Sequence, residues 1–312
     1  MNAPLKTYHL PGTVSEALAL AEQDYQLIGG GTDAMIRRKQ YLESRPHIID
    51  LSQIGELRIL DYAGGKLTIG AGVTLAALVR FDPIREHYPL IGQAARSIAS
   101  PVIRQTATVG GNLLVDNRCT FYDQSKNWRE AFGACLRDDG DICQVTGTGN
   151  KCFSRNVSDL APALIVLAAE LSIRHADDAT TRPLIDIYTS DGIAPHQHLD
   201  GGIITALTIN AKPAHTWFRK LRLRESVDFT SLTIAATVSD DKIARVCLGG
   251  VSMAPVIIEG SIIEQPLEYW IRQALKLSQT VDNDLMSIIY RRQMITVFLE
   301  DWWSDLEMQI EL

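Results

Sequence analysis

Four of the five cysteines in this chain fall within one polar stretch, at Cys119, Cys135, Cys143 and Cys152. Fifteen, seven and eight residues separate them, so the stretch contains no C-x-x-C pair. This spacing argues against a zinc ribbon and against a thioredoxin-type redox pair. Three alternatives stay open: a zinc site, an iron–sulfur cluster with four thiolate ligands, and four unrelated thiols.

The neighbours of these cysteines favour ligation of a metal. Free cysteines usually lie among apolar side chains, whereas these four stand beside charged ones. The flanking charged residues are Arg118, Arg137, Asp138, Asp139 and Lys151. The stretch has little hydrophobic periodicity, so apolar burial is not expected to order it, and the four thiols are the candidates for doing so. The fifth cysteine, Cys247, lies in an apolar strand and is expected in the core.

A run of three glycines marks a second candidate site. The apolar segment 25–28 leads into Gly29-Gly-Gly-Thr-Asp33, and a helix is predicted from Ala34. A strand, a glycine turn and a helix in this order can place backbone N–H groups around a phosphate. The pattern is not the G-x-G-x-x-G fingerprint, and a tight turn without a ligand explains it equally well.

Other candidate residues give weaker evidence for a functional site. His196 and His198 could form half a metal site, but without matching ligands nearby a solvated loop is the better interpretation. Trp302 and Trp303 are expected to pack in a core or a subunit interface. No serine has a nucleophile-elbow context, so hydrolysis has no support.

Composition limits the class of protein. The chain has 312 residues, 46% of them hydrophobic and 21% charged, as in a soluble globular protein of about two domains. A net charge of −7 gives no expectation of nucleic-acid binding. The sequence lacks an apolar run of transmembrane length and an N-terminal signal-peptide pattern, which predicts no membrane association and a cytoplasmic location.

Hydrophobic patterning predicts an α+β protein. Strands are predicted at 25–28, 47–51, 59–62, 66–69, 171–174, 203–209, 216–223, 232–238 and 243–248. Helices are predicted after Thr13 and Thr74, and over 90–98, 267–277 and 285–306. A domain boundary is predicted at Ala211-Lys-Pro213.

Several motifs together resemble the FAD-binding medium subunit of the xanthine dehydrogenase (molybdenum hydroxylase) family. The motifs are Gly29-Gly-Gly-Thr-Asp33, Leu67-Thr-Ile-Gly-Ala-Gly-Val-Thr74, Thr106-Ala-Thr-Val-Gly-Gly-Asn-Leu113, Ser158-Asp-Leu-Ala-Pro-Ala-Leu164, Arg219-Lys-Leu-Arg-Leu-Arg-Glu-Ser-Val-Asp228 and Leu248-Gly-Gly-Val251. The resemblance covers nearly the whole chain. It implies a two-part, PCMH or vanillyl-alcohol-oxidase-like FAD-binding domain over 1–211, with subdomains 1–56 and 57–211. A C-terminal domain of the CO dehydrogenase flavoprotein type follows over 212–312.

About forty residues are inserted into this family pattern, over about 114–156, and they contain the four cysteines. The insertion, beginning Asn117-Arg-Cys-Thr-Phe-Tyr122, is similar to that in the β subunits of 4-hydroxybenzoyl-CoA reductases. The resemblance implies that Cys119, Cys135, Cys143 and Cys152 bind an additional [4Fe-4S] cluster. Some periplasmic aldehyde oxidoreductases also carry a cluster here, in different cysteine contexts.

The resemblance also implies roles for individual residues in binding FAD. Backbone amides would wrap the pyrophosphate at Leu27, Ile28, Gly29, Gly30, Gly31, Thr32 and Asp33. The second phosphate-facing turn would contain Thr108, Gly110, Gly111 and Asn112. Asp159 would bind the adenosine end, Ile204 would pack near the flavin or adenine, and Lys220 would lie near the isoalloxazine. None of these residues would be catalytic toward the organic substrate.

The function implied is electron transfer within a larger complex. A small subunit would hold two [2Fe-2S] clusters and a large one the molybdenum cofactor, in an assembly of two heterotrimers. In the reductase type, electrons from ferredoxin would pass through the [4Fe-4S] cluster and FAD to molybdenum, which dehydroxylates an aromatic CoA thioester. The alternatives are an oxidative xanthine or aldehyde dehydrogenase type, and a non-enzymatic, zinc-stabilised subunit without flavin.

Overall fold

The computed structural model describes residues 5–21, 24–210 and 212–309, which form twelve strands and ten helices. The strands are β1 (Thr7–His9), β2 (Tyr25–Ile28), β3 (His47–Asp50), β4 (Leu60–Ala63), β5 (Lys66–Gly70), β6 (Glu170–Arg174), β7 (Ala179–Pro183), β8 (Ile203–Ile209), β9 (His215–Leu221), β10 (Leu232–Val238), β11 (Ile243–Gly249) and β12 (Val256–Ser261). The helices are α1 (Val14–Leu20), α2 (Ala34–Lys39), α3 (Leu75–Arg80), α4 (Asp82–His87), α5 (Pro89–Ser97), α6 (Val109–Leu113), α7 (Lys126–Phe132), α8 (Leu160–Val166), α9 (Leu267–Leu277) and α10 (Ile288–Gln309).

The strands form three sheets that follow one another along the chain. The first is parallel, in the order β1-β3-β2, and its central strand has fully buried isoleucines at 48 and 49. The second has the order β4-β5-β8-β6-β7 and is antiparallel. The third is an antiparallel meander, β9 to β12, covered by α9 and α10. The predicted α+β class is therefore confirmed.

Helix α8 joins the second and third sheets. All seven of its residues are buried, which fits a segment that is apolar on every side. The helix contacts α5 and α6 in one direction and strands β10 and β11 in the other. Cys247 of β11 belongs to this same core and is fully buried, as predicted.

The C-terminal helices close a separate core over the third sheet. Trp302 is fully buried, and its ring centroid lies 5.4 Å from that of Trp270 on α9. Trp303 packs at the margin of the same core. The expectation that the tryptophan pair packs a core is confirmed for Trp302. No helix within the described ranges is long and apolar enough to span a bilayer.

Some elements were not predicted from the sequence. Strand β7 at the edge of the second sheet has few apolar residues and is half exposed, so its pattern is weak. Helix α7 lies inside the polar cysteine stretch, where Ser125 caps it by accepting from the N–H of Trp128. Short polar elements of this kind depend on caps and tertiary contacts, which hydrophobic periodicity does not detect.

The three sheets lie over 7–50, 60–209 and 215–261, and the sequence analysis predicted domain divisions at 56/57 and 211/212. Ala211, the first residue of the predicted boundary motif, is outside the described residues. The domain limits therefore stay predictions.

Candidate functional site

The two glycine-containing turns named in the sequence lie against each other. We call Gly29–Asp33 the first glycine turn and Thr108–Asn112 the second. A Cβ atom at Gly30 would overlap the backbone carbonyl of Thr106, and one at Gly29 would collide with the hydroxyl of Thr108. Glycine is required at position 30 because the obstacle there is backbone, which cannot rotate away.

The first glycine turn leaves backbone donors available. Within the described part of the chain, the N–H groups of Gly30, Gly31 and Thr32 donate no hydrogen bond to protein acceptors. Gly31 has a φ of +67°, a conformation that favours glycine. Consecutive free amides of this kind suit an anionic group such as a pyrophosphate.

The second glycine turn is fixed by its own side chains. Thr108 caps α6 by accepting from the N–H of Gly111 at 3.1 Å. The Asn112 Oδ1 atom accepts from the Ser158 hydroxyl at 2.9 Å and from the N–H of Leu160 at 3.2 Å. Asn112 therefore ties this turn to the start of α8, and a role toward FAD stays a prediction.

Asp159 and Lys220 form a buried ion pair of 2.6 Å. The other carboxylate oxygen of Asp159 accepts from the hydroxyl of Thr233 at 2.9 Å, and Lys220 also donates to the carbonyl oxygens of Ser97 and Asp228. Burial raises the pKa of Asp159, and the Lys220 ammonium opposes that change. The resemblance assigned Asp159 to the adenosine end of FAD or its ribose and Lys220 to the isoalloxazine. The ion pair brings the two side chains together, and both roles toward FAD stay predictions.

Ile204 lies in β8, where it pairs with Ile173 of β6 next to a register shift that leaves Thr205 of β8 unpaired. It is 4% exposed and belongs to the main hydrophobic core. Its predicted packing against the cofactor remains a prediction.

The four clustered cysteines converge, although up to fifteen residues separate them. All four are buried, and they line one small cavity together with Tyr122. None of them forms a disulfide. Among the described residues, no three histidine, cysteine, aspartate or glutamate side chains are grouped around a single ion position. A zinc ion would draw its sulfur ligands to about 2.3 Å from one point, whereas a four-iron cluster binds each thiolate through a different iron.

Backbone hydrogen bonds bring the cysteines together. Arg118 and Arg155 pair as an isolated antiparallel bridge, with N–H to O distances of 2.9 and 2.8 Å, which brings Cys119 close to the Cys152 segment. Tight turns follow Cys135, whose carbonyl accepts from two amides, and Cys143, whose carbonyl does the same. The folded backbone, rather than local sequence spacing, therefore builds the four-sulfur arrangement.

Burial is the main influence on the protonation of the four thiols. Burial raises the pKa of Cys119 to about 11 and also raises the pKa values of Cys135 and Cys152. Burial acts the same way on Cys143, but hydrogen bonds from Thr146 and neighbouring amides hold the pKa of that thiol below its usual value. A metal must displace these protons to bind, and its charge would compensate for the desolvation of the thiolates.

Three arginines, of which the sequence interpretation named only Arg137, lie around the ring of Tyr122, a residue that lines the cysteine cavity. The guanidinium carbons of Arg37, Arg129 and Arg137 lie 5.8, 5.5 and 4.4 Å from the centre of the Tyr122 ring. Asp116 pairs with both Arg37 and Arg137. Burial raises the pKa of Asp116, but these two cations hold it below its usual value. Only the charged residues flanking the cysteines gave a sequence signal for this network.

His196 is not in a solvated loop, contrary to the sequence interpretation. Its ring lies 5.6 Å from that of Tyr188, and its Nε2 atom is buried without a hydrogen-bond partner among the described residues. Burial lowers the pKa of His196 to about 4. His198 is exposed, so the two histidines do not form a metal site together.

Comparison with known proteins places these sites in a family. Residues 3–209 match the family described as the FAD binding domain in molybdopterin dehydrogenase. The chain is 32% identical over 267 residues to the FAD-binding subunit PaoB of an aldehyde oxidoreductase from Escherichia coli K12, covering 82% of this chain and 84% of that protein. It is 34% identical over 116 residues to the carbon monoxide dehydrogenase medium chain of Hydrogenophaga pseudoflava, covering 36% of this chain and 40% of that one.

Solved structures agree on the fold. A chain of the Cu,Mo-CO dehydrogenase in its cyanide-inactivated form superposes with a TM-score of 0.73 at 22% identity, covering 96% of this chain and 97% of that one. A chain of quinoline 2-oxidoreductase from Pseudomonas putida 86 gives a TM-score of 0.70 at 16% identity, covering 96% of each chain.

Proposed function

Because the chain belongs to the FAD-binding medium subunits of the molybdenum hydroxylase family, we propose that it transfers electrons between FAD and an iron–sulfur cluster in its cysteine insertion. The cysteine insertion is the segment 114–156. The observation that carries the proposal is the convergence of four buried thiols on one cavity, inside a flavoprotein subunit. The chemistry of this donor set matches a [4Fe-4S] cluster, which takes four cysteine thiolates.

The residues of this chain would bind and orient the cofactors rather than act on the organic substrate. The free amides of the first glycine turn would bind the FAD pyrophosphate. The second glycine turn packs directly against the first glycine turn. The ion pair of Asp159 and Lys220 would lie at one end of the flavin site. FAD and the cluster would supply the redox chemistry, with FAD able to hold two electrons and the cluster one.

Two versions of the proposal differ in the direction of electron flow. The aldehyde oxidoreductase subunit aligns with 82% of this chain, which favours an oxidative complex that passes electrons outward from molybdenum. The reductive alternative, a 4-hydroxybenzoyl-CoA reductase-type complex driven by ferredoxin, rests on the resemblance of the cysteine insertion. In both cases a small [2Fe-2S] subunit and a large molybdenum subunit complete the complex. The cytoplasmic location and the double-heterotrimer assembly remain predictions.

Cofactor content tests the proposal directly. We expect about four irons, four acid-labile sulfides and one FAD per copy of the anaerobically purified chain, beyond any content of its partners. Cys135→Ser should lose the iron, whereas Cys247→Ala should keep it, because Cys247 lies in the core away from the cavity. FAD with no iron would contradict the cluster. Zinc in place of iron would support the zinc-site alternative for the insertion.

The whole complex can then be assayed in both directions. Oxidation of aromatic or aliphatic aldehydes with a viologen or ferredoxin as acceptor would support the oxidative type. Dehydroxylation of 4-hydroxybenzoyl-CoA with reduced viologen, and no aldehyde oxidation, would support the reductive type instead.

A further inference from the structure

The first glycine turn is connected to the cysteine insertion by an ion pair whose arginine is buried. Asp33 is the last residue of that turn and the N-cap residue of α2, yet its carboxylate does not cap the helix. It pairs instead with the guanidinium of Arg118, the residue before Cys119. The Arg118 side chain is 9% exposed, so this contact is largely shielded from solvent. The end of the first glycine turn is thus fixed to the residue that precedes the first cysteine of the insertion.

A second connection starts one turn further along α2. Arg37 pairs with Asp116 at 2.5 Å and with Asp123 at 3.3 Å, and its side chain is 8% exposed. The other oxygen of Asp123 accepts from the backbone N–H of Cys119 at 2.9 Å. Helix α2 is therefore tied to the backbone of a cysteine through one carboxylate.

The carboxylate of Asp116 extends this connection to another cysteine. Both of its oxygens accept from Arg137, at 2.7 and 2.6 Å, and Arg137 lies two residues after Cys135. The Arg137 guanidinium also donates to the carbonyl oxygen of Asn117 at 2.9 Å. Arg37 and Arg118 thus link α2 and the first glycine turn to the segments around Cys119 and Cys135.

From these contacts we propose that Arg37 and Arg118 are positioning residues that couple FAD affinity to the state of the cysteine centre. When the four cysteines are held together, the two arginines hold the first glycine turn in its FAD-binding form. When the centre is lost, the bridged segments loosen and the turn loosens with them. The coupling rests on the proposed function for the cysteines as a joint centre. It is a separate claim, because it concerns FAD affinity rather than iron content.

A double-mutant cycle tests the coupling. The dissociation constant of FAD is measured by flavin fluorescence for the purified chain and for Cys135→Ser, each with and without Arg37→Gln plus Arg118→Gln. We expect Cys135→Ser to weaken FAD binding about tenfold in the chain with both arginines, within the usual range for linked sites. In the arginine variant the same cysteine change should weaken FAD binding less than about twofold.

A matched control removes an arginine of an exposed pair. Arg85 pairs with Asp82 at 2.6 Å on α4, and both side chains are more than half exposed. Arg85→Gln should leave the tenfold effect of Cys135→Ser unchanged. An equal effect of Cys135→Ser with and without the arginines, or no effect at all on FAD affinity, would overturn the proposal.

A local measurement covers the case in which Cys135→Ser unfolds more widely. Amide hydrogen exchange is compared over residues 25–40 and over α9, which contacts neither arginine. Coupling predicts faster exchange in 25–40 of Cys135→Ser with unchanged protection in α9, and equal loss of protection in both would contradict it. Iron is measured in the same samples, so a chain without iron would refute the cluster while the FAD affinities still decide the coupling.

Discussion

The glycine turns and the cysteine insertion are adjacent but are held together differently. Besides its side-chain contacts, the second glycine turn is held by backbone hydrogen bonds from Val109 N–H to Val73 and from Gly110 N–H to Ala71, at 2.9 and 2.8 Å. The cysteine insertion has a small apolar cluster, made of Cys119, Tyr122 and Cys135 with a few partly buried neighbours. Backbone hydrogen bonds bring its cysteines together, and ion pairs of Arg37 and Arg118 with nearby carboxylates hold it against α2.

Because of this difference, the two regions should be sensitive to different kinds of substitution. Backbone packed against backbone tolerates changes of charge but no added volume, because no side chain can rotate away. In a region with buried ion pairs, loss of one charged partner is costly because the other charge stays buried without compensation. Substitutions in each region can therefore separate the effect of close backbone packing from that of buried ion pairs.

Asp284→Ala should destabilise the protein by about 3–5 kcal/mol. Asp284 forms a buried ion pair of 2.7 Å with Arg155, whose backbone pairs with Arg118 beside the first cysteine. The substitution leaves a buried guanidinium without its counterion, and urea unfolding measures the loss. Asp82→Ala, which removes the partner of exposed Arg85, should cost less than about 1 kcal/mol. Similar costs for the two variants would remove the distinction between buried and exposed pairs.

Gly30→Ala should cost about 1–3 kcal/mol and abolish or greatly reduce FAD binding. The added Cβ would overlap the carbonyl of Thr106 and separate the two glycine turns. Thermal unfolding and FAD content together measure the effect. Gly55→Ala is the matched control, because no atom lies within 4 Å of its Cβ position. Normal FAD content in Gly30→Ala would show that the turns need not touch.

Stability should decrease as the pH falls from 6.5 to about 4, and His196 should be a main cause. The folded pKa of about 4 lies below the ordinary value of 6.5, so the unfolded chain binds the proton more readily in this range. The slope of the free energy of unfolding is at most about 1.4 kcal/mol per pH unit. The contribution of neutral His196 is fully present above pH 6.5. Urea unfolding at several pH values should show a shallower slope for His196→Gln than for the exposed control His198→Gln. Equal slopes would exclude His196 as the source.

Thr108→Ala should have the smallest effect, about 1 kcal/mol, through loss of the cap on α6. Thr108→Ser keeps the hydroxyl that accepts from Gly111 and should stay close to the parent in thermal unfolding. If Thr108→Ser were as unstable as Thr108→Ala, the methyl group packed against Gly29 would be the important contact instead.

Much of the fold could be predicted because its signals are local. The limits of β2, β8, β10 and α9 agree with the predicted ones, since each is a clear apolar pattern between turn residues. The Thr13 and Thr74 caps form as predicted, accepting from Glu16 and Ala77. Strand β7 and helix α7 were missed because half-exposed, polar elements have no such pattern.

The residues that could do chemistry are evident from their types and spacing: a run of glycines that allows close backbone approach, and four cysteines in a polar context. Which of these residues meet depends on the packing of distant elements. This packing joined Asp159 to Lys220, which are 61 residues apart, and Asp33 to Arg118, which are 85 apart. The physical reason is that an ion pair depends on the relative placement of two elements. Burial of the surrounding apolar core fixes that placement, which no local sequence pattern predicts.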